Sequence, residues 1–164
     1  MKLIVASLAA VNASPLIYLS RAGYLWLLQL ASPEVAAPQA VVEELQRRGP
    51  DDITVLAIES TPWLRVTPVS PAPPELLFWD LGAGETAVLQ WALQNHGEAI
   101  IDDLAARRCA AAFGVAVRGT LGLVLVARKR GDIKAARPVI EELRRAGMYL
   151  SPRVIQEALT LVGE

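Results

Sequence analysis

The hydrophobic residues alternate between two patterns along the chain. Short continuous apolar runs are typical of buried strands, and longer segments in which apolar residues recur every three or four positions are typical of helices that bury one face. Their alternation predicts an α/β fold with a mostly parallel sheet covered by helices. The predicted strands are residues 8–11, 34–37, 64–66, 99–101 and 115–117.

Proline and glycine residues indicate where the predicted helices begin and end. Pro15 opens the first helix and Gly23 breaks it. Pro38 occupies the first turn of a later helix, where a missing N–H is tolerated, and Gly49 stops that helix. Ser151 is placed to cap the last helix, which begins at residue 152. The other predicted helices cover residues 24–30, 51–59, 85–95, 105–113, 121–130 and 138–146.

The length of 164 residues fits one domain with one sizeable core. The proline-rich residues 68–74 are predicted to form an extended connection inside that domain, so we assign residues 1–164 to a single domain. The composition, 53% hydrophobic and 20% charged, excludes a disordered or fibrous chain. Because the apolar share exceeds the usual range of about 45 to 50%, we expect a homodimer, with the apolar residues 24–30 as its preferred contact.

The N-terminal stretch MKLIVASLAAVNAS has two interpretations. A basic start, an apolar run and small residues near Ala13 are similar to a secretory signal. We favour a first buried strand, because residues 12–19 belong to a motif that cleavage would remove and because the lone Cys109 permits no intrachain disulfide. Since no other segment reaches the roughly 18 apolar residues of a membrane helix, we expect a cytoplasmic protein with no membrane partner.

The net charge of −1 conceals an asymmetry along the chain. Residues 1–103 contain five Lys or Arg against twelve Asp or Glu, a balance of −7, whereas residues 104–164 contain eleven against five, a balance of +6. An acidic site beside a basic surface is what a metal-dependent enzyme acting on a polyanion needs. Solvated helices that are unevenly charged would give the same numbers, so both interpretations stay open.

Several acidic residues follow predicted strands or lie on helices near them. In a parallel sheet, ligands bind beyond the carboxyl ends of the strands, and sites rich in oxygen atoms suit Mg²⁺ or Mn²⁺. Such ions activate water and stabilise the leaving oxygen in phosphodiester hydrolysis. The candidate catalytic and metal-binding acids are Glu44, Glu85, Asp102 and Asp103.

Each of these acids also has a structural interpretation. Glu44 lies at the edge of the apolar face of its helix, where a solvated position is common. Glu85 stands at a helix start, where a carboxylate complements the helix dipole. The adjacent Asp102 and Asp103 suit the cap of the following helix. The sequence leaves these alternatives open.

Five motifs in a fixed order extend over nearly the whole chain. Together they resemble the PIN-domain family, in particular its prokaryotic branch of PIN-like predicted nucleic-acid-binding proteins related to VapC-type toxins. The resemblance implies a three-layer α/β/α fold with a central, mainly parallel sheet and an acidic metal site typical of ribonucleases. The motifs are VNASPLIYLSRAG at 11–23, AAPQAVVEEL at 36–45, DLGAGETAVLQWAL at 80–93, IIDDLAARRCA at 100–110 and RGTLGLVLVARKRG at 118–131.

The resemblance also assigns individual positions. It implies that Glu44, Glu85 and the pair of aspartates at 102 and 103 are metal-site residues, and that Ser14 and Thr120 line the site. The first strand of many PIN nucleases ends in Asp, and Asn12 occupies that position here. The amide of Asn12 offers a metal a carbonyl oxygen but no charge.

The leading hypothesis is a metal-dependent endoribonuclease that uses Mg²⁺ or Mn²⁺ and is the toxin half of a toxin–antitoxin pair. Its expected partners are RNA, a small antitoxin protein and a second copy of the chain. The alternative is a non-catalytic module on a degenerate PIN fold that binds nucleic acid or an antitoxin. The basic residues expected to contact RNA beside the acidic site are Arg107, Arg108, Arg128, Lys129 and Arg130.

A phospho-accepting receiver domain is a third interpretation of the acidic pair. It would use Asp102, Asp103, Thr120 and Lys129. Receiver domains place their acidic pair after the first strand, which is the wrong order for this chain.

Overall fold

The structure, a computed structural model, describes residues 8–164. The first seven residues, half of the signal-like stretch, lie outside this range. Short buried apolar runs form the strands, as the hydrophobic pattern predicts. The strands are β1 (Ala9–Val11), β2 (Val35–Pro38), β3 (Leu64–Thr67), β4 (Glu98–Ile100) and β5 (Val117–Arg118).

The five strands form one parallel sheet in the order β3-β2-β1-β4-β5. Helices flank the sheet, which confirms the three-layer α/β/α fold. The helices are α1 (Ala13–Ala22), a 3₁₀ helix (Leu25–Leu30), α2 (Gln39–Gln46), α3 (Ile53–Glu59), α4 (Pro74–Leu77), α5 (Ala83–Asn95), α6 (Leu104–Ala112), α7 (Thr120–Arg130), α8 (Ala136–Arg145) and α9 (Pro152–Leu161).

The central strand β1 is buried along its whole length. Ala9, Ala10 and Val11 are at most 1% exposed, because a strand between two parallel neighbours is covered by helices on both faces. Their small side chains leave room for those helices to approach the sheet closely. The carboxyl end of β1 is therefore inside the protein, and the residue that follows it, Asn12, is only 2% exposed.

Three local predictions about the elements are wrong. Pro38 ends β2 instead of starting α2, since its fixed φ suits both extended and helical backbone. The proline-rich connection ends one residue earlier than predicted, because Pro74 takes the first position of the short helix α4. The last strand begins at Val117, because the Val115 N–H still donates to the Ala110 carbonyl at the end of α6.

The apolar residues 24–30 are partly buried within the chain. They form the 3₁₀ helix, which packs against α7 and α1, and its Leu27 and Leu28 are fully buried. Trp26 is 39% exposed and is the largest apolar side chain that this segment leaves at the surface. The role of residues 24–30 as the contact with a second copy stays a prediction, since only Leu27 and Leu28 of the segment are fully buried in the core.

Within residues 8–164, no helix is both long and apolar enough to cross a membrane. Ser151 caps the last helix as predicted, since its Oγ accepts a hydrogen bond from the Val154 N–H at 3.2 Å. The other predicted helices agree with the structure to within about two residues at each end.

Candidate functional site

Three polar residues follow neighbouring strands at one edge of the sheet. Asn12 comes directly after β1, and its N–H donates to the Ile100 carbonyl of β4 at 3.0 Å. Asp102 follows β4 after one further residue, and Thr120 follows β5 after Gly119. Because the strands are parallel, their carboxyl ends meet at this edge, which is where α/β proteins bind ligands.

Asn12 has the most unusual surroundings of the three. It occupies the N-cap of α1, where an Asn side chain normally accepts a hydrogen bond from the helix, yet no such bond forms. Instead its Nδ2 donates to Glu85 Oε1 at 3.2 Å. Because an ionised carboxylate only accepts, this contact fixes which end of the amide faces Glu85. The other end, Oδ1, is buried with no hydrogen-bond partner among residues 8–164.

Glu44 approaches the same amide across a glycine. Helices α2 and α5 pack together, and Gly84 in the first turn of α5 lies between Glu44 and Asn12. A Cβ placed on Gly84 would lie 2.9 Å from Glu44 Oε2 and 3.2 Å from Asn12 Oδ1. Because Gly84 has no side chain, Glu44 Oε2 and Asn12 Oδ1 can both approach its backbone, close to Glu85.

Asp102 is held by the start of α7. Its Oδ1 accepts from the Thr120 N–H at 2.8 Å and its Oδ2 is 2.7 Å from Thr120 Oγ1, which donates to it. Thr120 is fully buried and Asp102 is partly exposed. Both carboxylate oxygens of Asp102 are thus directed toward β5 and α7.

Asp103 has a structural contact. Its Oδ2 accepts from the Ala106 N–H at 2.9 Å and so caps α6, which is one of the alternatives that the sequence left open. Ser14, predicted to line the site, lies half-buried in the first turn of α1, two residues after Asn12.

The sequence predicts that Glu44, Glu85 and either Asp102 or Asp103 converge on one pocket, and the structure shows no acidic cluster of this kind among residues 8–164. No three Asp, Glu, His or Cys side chains in the described part of the chain come close enough together to hold a metal ion. The physical reason lies in the contacts above, because Thr120 holds Asp102 and the start of α6 holds Asp103. The structure brings together Asn12, Glu44 and Glu85, and it places the Asp102–Thr120 pair beyond the carboxyl ends of β4 and β5.

The basic residues divide into two groups. Arg107 and Arg108 lie exposed on α6. Arg107 is close to Asp102, because a Cβ placed on Gly119 would lie 3.0 Å from Arg107 Nη1 and 3.2 Å from Asp102 Oδ1. The group on α7 lies elsewhere, because this helix begins at Thr120 and residues 128–130 are in its last turn, about 15 Å away. The structure therefore does not place residues 128–130 beside the acids, and their contact with RNA stays a prediction.

Two of the three cations at that end of α7 also have acidic partners. Arg128 pairs with Glu164 at 3.1 Å and Arg130 pairs with Asp132 at 3.3 Å. Lys129 is exposed. Arg107 lies beside Asp102 and has no ion pair within the described residues.

Cys109 takes no part in this site. It is fully buried in α6, and burial raises the pKa of its thiol above the usual range. A raised thiol pKa disfavours the thiolate, which is the nucleophilic form. Cys109 is a small core residue, in keeping with the surroundings that its alanine-rich helix predicts.

Gly84 is the residue of the site that motif reasoning missed. The sequence GAGE at 82–85 drew attention to Glu85 and to the helix start, whereas the close approach of Glu44 depends on the packing of α2 against α5. A glycine immediately before a candidate acid at a helix start was the available signal, since glycine allows another group to approach the backbone.

A parallel sheet between helices, with acidic and amide oxygens at its carboxyl edge, is the arrangement in which α/β proteins bind ligands. The chain belongs to the PIN-domain family, because the family model described as DUF3368, a PIN domain, matches residues 8–164. A search of curated proteins gave no significant match. The resemblance seen in the five sequence motifs is confirmed at the level of this family.

Proposed function

We propose that this protein is a divalent-metal-dependent endoribonuclease whose metal site is formed by Asn12, Glu44 and Glu85. One observation carries the proposal: Asn12 Oδ1 is buried without a partner among the described residues, beside two acidic side chains. A buried polar oxygen without a partner costs about 1 to 3 kcal/mol, so a site that keeps one requires an explanation. Binding a cation there removes that cost.

The chemistry of the donor atoms fits Mg²⁺ or Mn²⁺. These ions prefer carboxylate and carbonyl oxygens, and Asn12, Glu44 and Glu85 offer only such atoms once the Asn12 amide nitrogen faces Glu85. Two carboxylates supply negative charge, and the amide supplies a neutral ligand. When bound, the metal would supply Lewis-acid chemistry that activates water for phosphodiester hydrolysis.

The residues around the three oxygen ligands have supporting roles in this proposal. Thr120 fixes the orientation of the Asp102 carboxylate, which adds negative charge at the same edge of the sheet. Arg107 stands beside Asp102 with its guanidinium free to bind a phosphate group of the substrate. Ser14 in the first turn of α1 contributes a hydroxyl near Asn12.

The proposal extends to the substrate, the cellular role and the protein partners. Its PIN-domain family supports RNA as the substrate class, and we propose that the protein is a VapC-type toxin, acts in the cytoplasm as a homodimer and is neutralised by a small antitoxin protein. An antitoxin-like reading frame next to the gene would support this role. The exposed apolar side chains, including Trp26, support association with a protein partner.

A second candidate function follows from the contacts of Asp102 and Asp103. Both oxygens of Asp102 and one oxygen of Asp103 accept hydrogen bonds from the protein itself, and Asn12 carries no charge, so the site has few free carboxylate oxygens. These contacts favour a module that binds RNA without cutting it. Such a module binds RNA equally well with Mg²⁺ and with a chelator, and it never produces fragments.

The choice between these functions can be tested with two neighbouring glutamates on α2. We expect the purified protein to cut RNA with Mg²⁺ or Mn²⁺ and not with EDTA, and Glu44→Gln to slow cleavage by about 100-fold because it removes a metal-site charge. Glu43→Gln is the matched control, since Glu43 is exposed on the same helix and its side chain hydrogen-bonds only to Gln39 within residues 8–164. Equal rates for the two variants would rule out Glu44 as a metal ligand.

A further inference from the structure

Gly82, the N-cap of α5, has a backbone conformation that does not require glycine. Six of the eleven glycines in the chain take a positive φ, which favours glycine over residues with a side chain. Gly82 differs from them, because its φ of −59° and its ψ of 159° are extended backbone angles that other residues also adopt. The backbone therefore gives no reason for a glycine at position 82.

The packing of the core and the capping of the helix do not explain Gly82 either. The residue is exposed, so the core does not exclude a side chain there. At the N-cap of a helix, Ser, Thr, Asp and Asn are favoured because their side chains accept a hydrogen bond from the first turn, and Gly82 leaves α5 without such a bond. Another contact must account for the missing side chain.

The carboxylate of Glu85 folds back over Gly82. A Cβ placed on Gly82 would lie 2.5 Å from Glu85 Oε2 and 3.5 Å from Glu85 Cδ. No other side chain of residues 8–164, apart from the two neighbours of Gly82 in sequence, lies within 4 Å of that position. Because 2.5 Å is far shorter than the van der Waals distance, a side chain at position 82 would displace the Glu85 carboxylate.

The position of this carboxylate determines the orientation of the Asn12 amide. The second carboxylate oxygen, Glu85 Oε1, accepts from Asn12 Nδ2 at 3.2 Å, which leaves Asn12 Oδ1 on the side of Gly84 and Glu44. If the carboxylate moved away, this hydrogen bond would be lost. Asn12 could then rotate and cap α1, as an Asn at an N-cap usually does.

We infer that Gly82 is a positioning residue, which lets the Glu85 carboxylate lie over the start of α5 and thereby orients the Asn12 amide. The inference rests on the proposed metal-dependent function, and it adds a residue that acts through Glu85. It also separates function from stability. A side chain at position 82 leaves the fold intact, because only the flexible end of Glu85 has to move, but it takes a ligand out of the proposed metal site.

NMR spectroscopy of the metal-free protein tests the positioning role without reference to a metal. We expect the side-chain amide signals of Asn12 in Gly82→Ala to move to the positions that they have in Glu85→Ala, because both variants lose the hydrogen bond between Asn12 and Glu85. Gly82→Ser should show the same shift, and it carries a favoured N-cap residue that supports folding. Asn12 signals that stay at their wild-type positions in both variants of Gly82 would overturn the inference.

Gly122→Ala is the matched control for the added methyl group. It lies in the first turn of α7, where its Cβ would be 3.8 Å from Arg118 Cγ, so the Asn12 signals should not move. A shift of these signals in Gly122→Ala as large as in Gly82→Ala would also overturn the inference.

Calorimetric titration with Mn²⁺ then measures the consequence for the metal site. Gly82→Ala should bind Mn²⁺ about 10-fold more weakly than the wild type, the loss typical of a residue that supports a metal ligand, and Gly122→Ala should bind it equally well. Equal Mn²⁺ affinity of Gly82→Ala and a wild type that binds the ion would overturn the inference. If the wild type binds no Mn²⁺ while the Asn12 signals shift in Gly82→Ala, the metal site is rejected and the positioning role of Gly82 is supported.

Discussion

Asn12 stabilises the metal-free protein in a way that aspartate does not. Its Nδ2 donates to Glu85 Oε1, whereas an aspartate at this position would place a second carboxylate against Glu85 in a buried site. Two carboxylates in such a site repel one another unless a cation lies between them. In the proposed metal site, Asn12 therefore attracts a cation less strongly than aspartate would, but it makes the protein without metal more stable.

Gly84 provides a direct test of how the three ligands are positioned. We predict that Gly84→Ala lowers the affinity for Mn²⁺ by about 10-fold, because the new Cβ would lie 2.9 Å from Glu44 Oε2 and displace that carboxylate. The thermal midpoint should stay equal or rise, since alanine favours a helix over glycine by up to about 1 kcal/mol. Calorimetric titration and thermal unfolding of the same sample measure both effects.

Gly122→Ala is the control for Gly84→Ala. Gly122 also lies in the first turn of a helix, α7, but its new Cβ would meet only Arg118 Cγ, at the ordinary distance of 3.8 Å. Its Mn²⁺ affinity should equal that of the wild type. If both alanine variants bind Mn²⁺ equally well, Gly84 has no positioning role.

Glu164 connects two helices near the C-terminal end of the chain. Its carboxylate accepts from the N–H groups of Ala136 and Arg137 at the start of α8, and Arg128 of α7 donates to it. The two backbone hydrogen bonds, with a smaller contribution from Arg128, hold the pKa of Glu164 below its usual range. In its ionised form Glu164 therefore stabilises the contact between α7 and α8.

We predict that Glu164→Gln lowers the thermal midpoint at neutral pH by roughly 2 to 4 °C. Because the pKa in the folded state is lowered, the stabilisation is complete above the ordinary glutamate pKa of about 4.3 and is lost as the pH falls through the lower folded value. The difference between the two proteins should therefore shrink below about pH 4. Thermal unfolding followed by circular dichroism across this pH range measures it.

Glu157→Gln serves as the comparison for Glu164→Gln. Glu157 pairs with Arg153 on the surface of α9, where both side chains are largely exposed, so its loss should change the midpoint little at any pH. A pH-independent difference between wild type and Glu164→Gln would show that charge is not the source of the stabilisation.

The sequence predicted most elements because their signals are local. The apolar run before Asn12 and the cap at Ser151 depend on residues close in the chain, and both are confirmed. The contacts of Asp102 and Gly84 could not be predicted, because the first depends on the register of β4 against β5 and the second on the packing of α2 against α5. The sequence therefore predicted most of the candidate residues, but it did not predict which of them lie close together in the fold.

Ion pairs in the folded molecule neutralise part of the positive charge of residues 104–164. Six of the eleven cations in residues 104–164 have acidic partners within 4 Å, which reduces the field of that half. Arg107 and Arg108 on α6 have none within residues 8–164, and Arg107 is the one that lies beside Asp102. Of the cations without an ion pair in this part of the chain, Arg107 is the one that the structure shows beside an acid of the candidate site.

Calorimetric titration with Mn²⁺ of the wild type, Asn12→Asp and Glu85→Gln tests most directly whether Asn12 and Glu85 bind a divalent metal. We predict that the wild type binds, that Asn12→Asp binds roughly 10-fold more tightly because a full charge is added beside the ion, and that Glu85→Gln binds at least about 10-fold more weakly. Glutamine at position 85 can still accept the hydrogen bond from Asn12 Nδ2, so its effect reports charge and not a lost contact. No binding by the wild type, or equal affinity for all three proteins, would contradict the metal site.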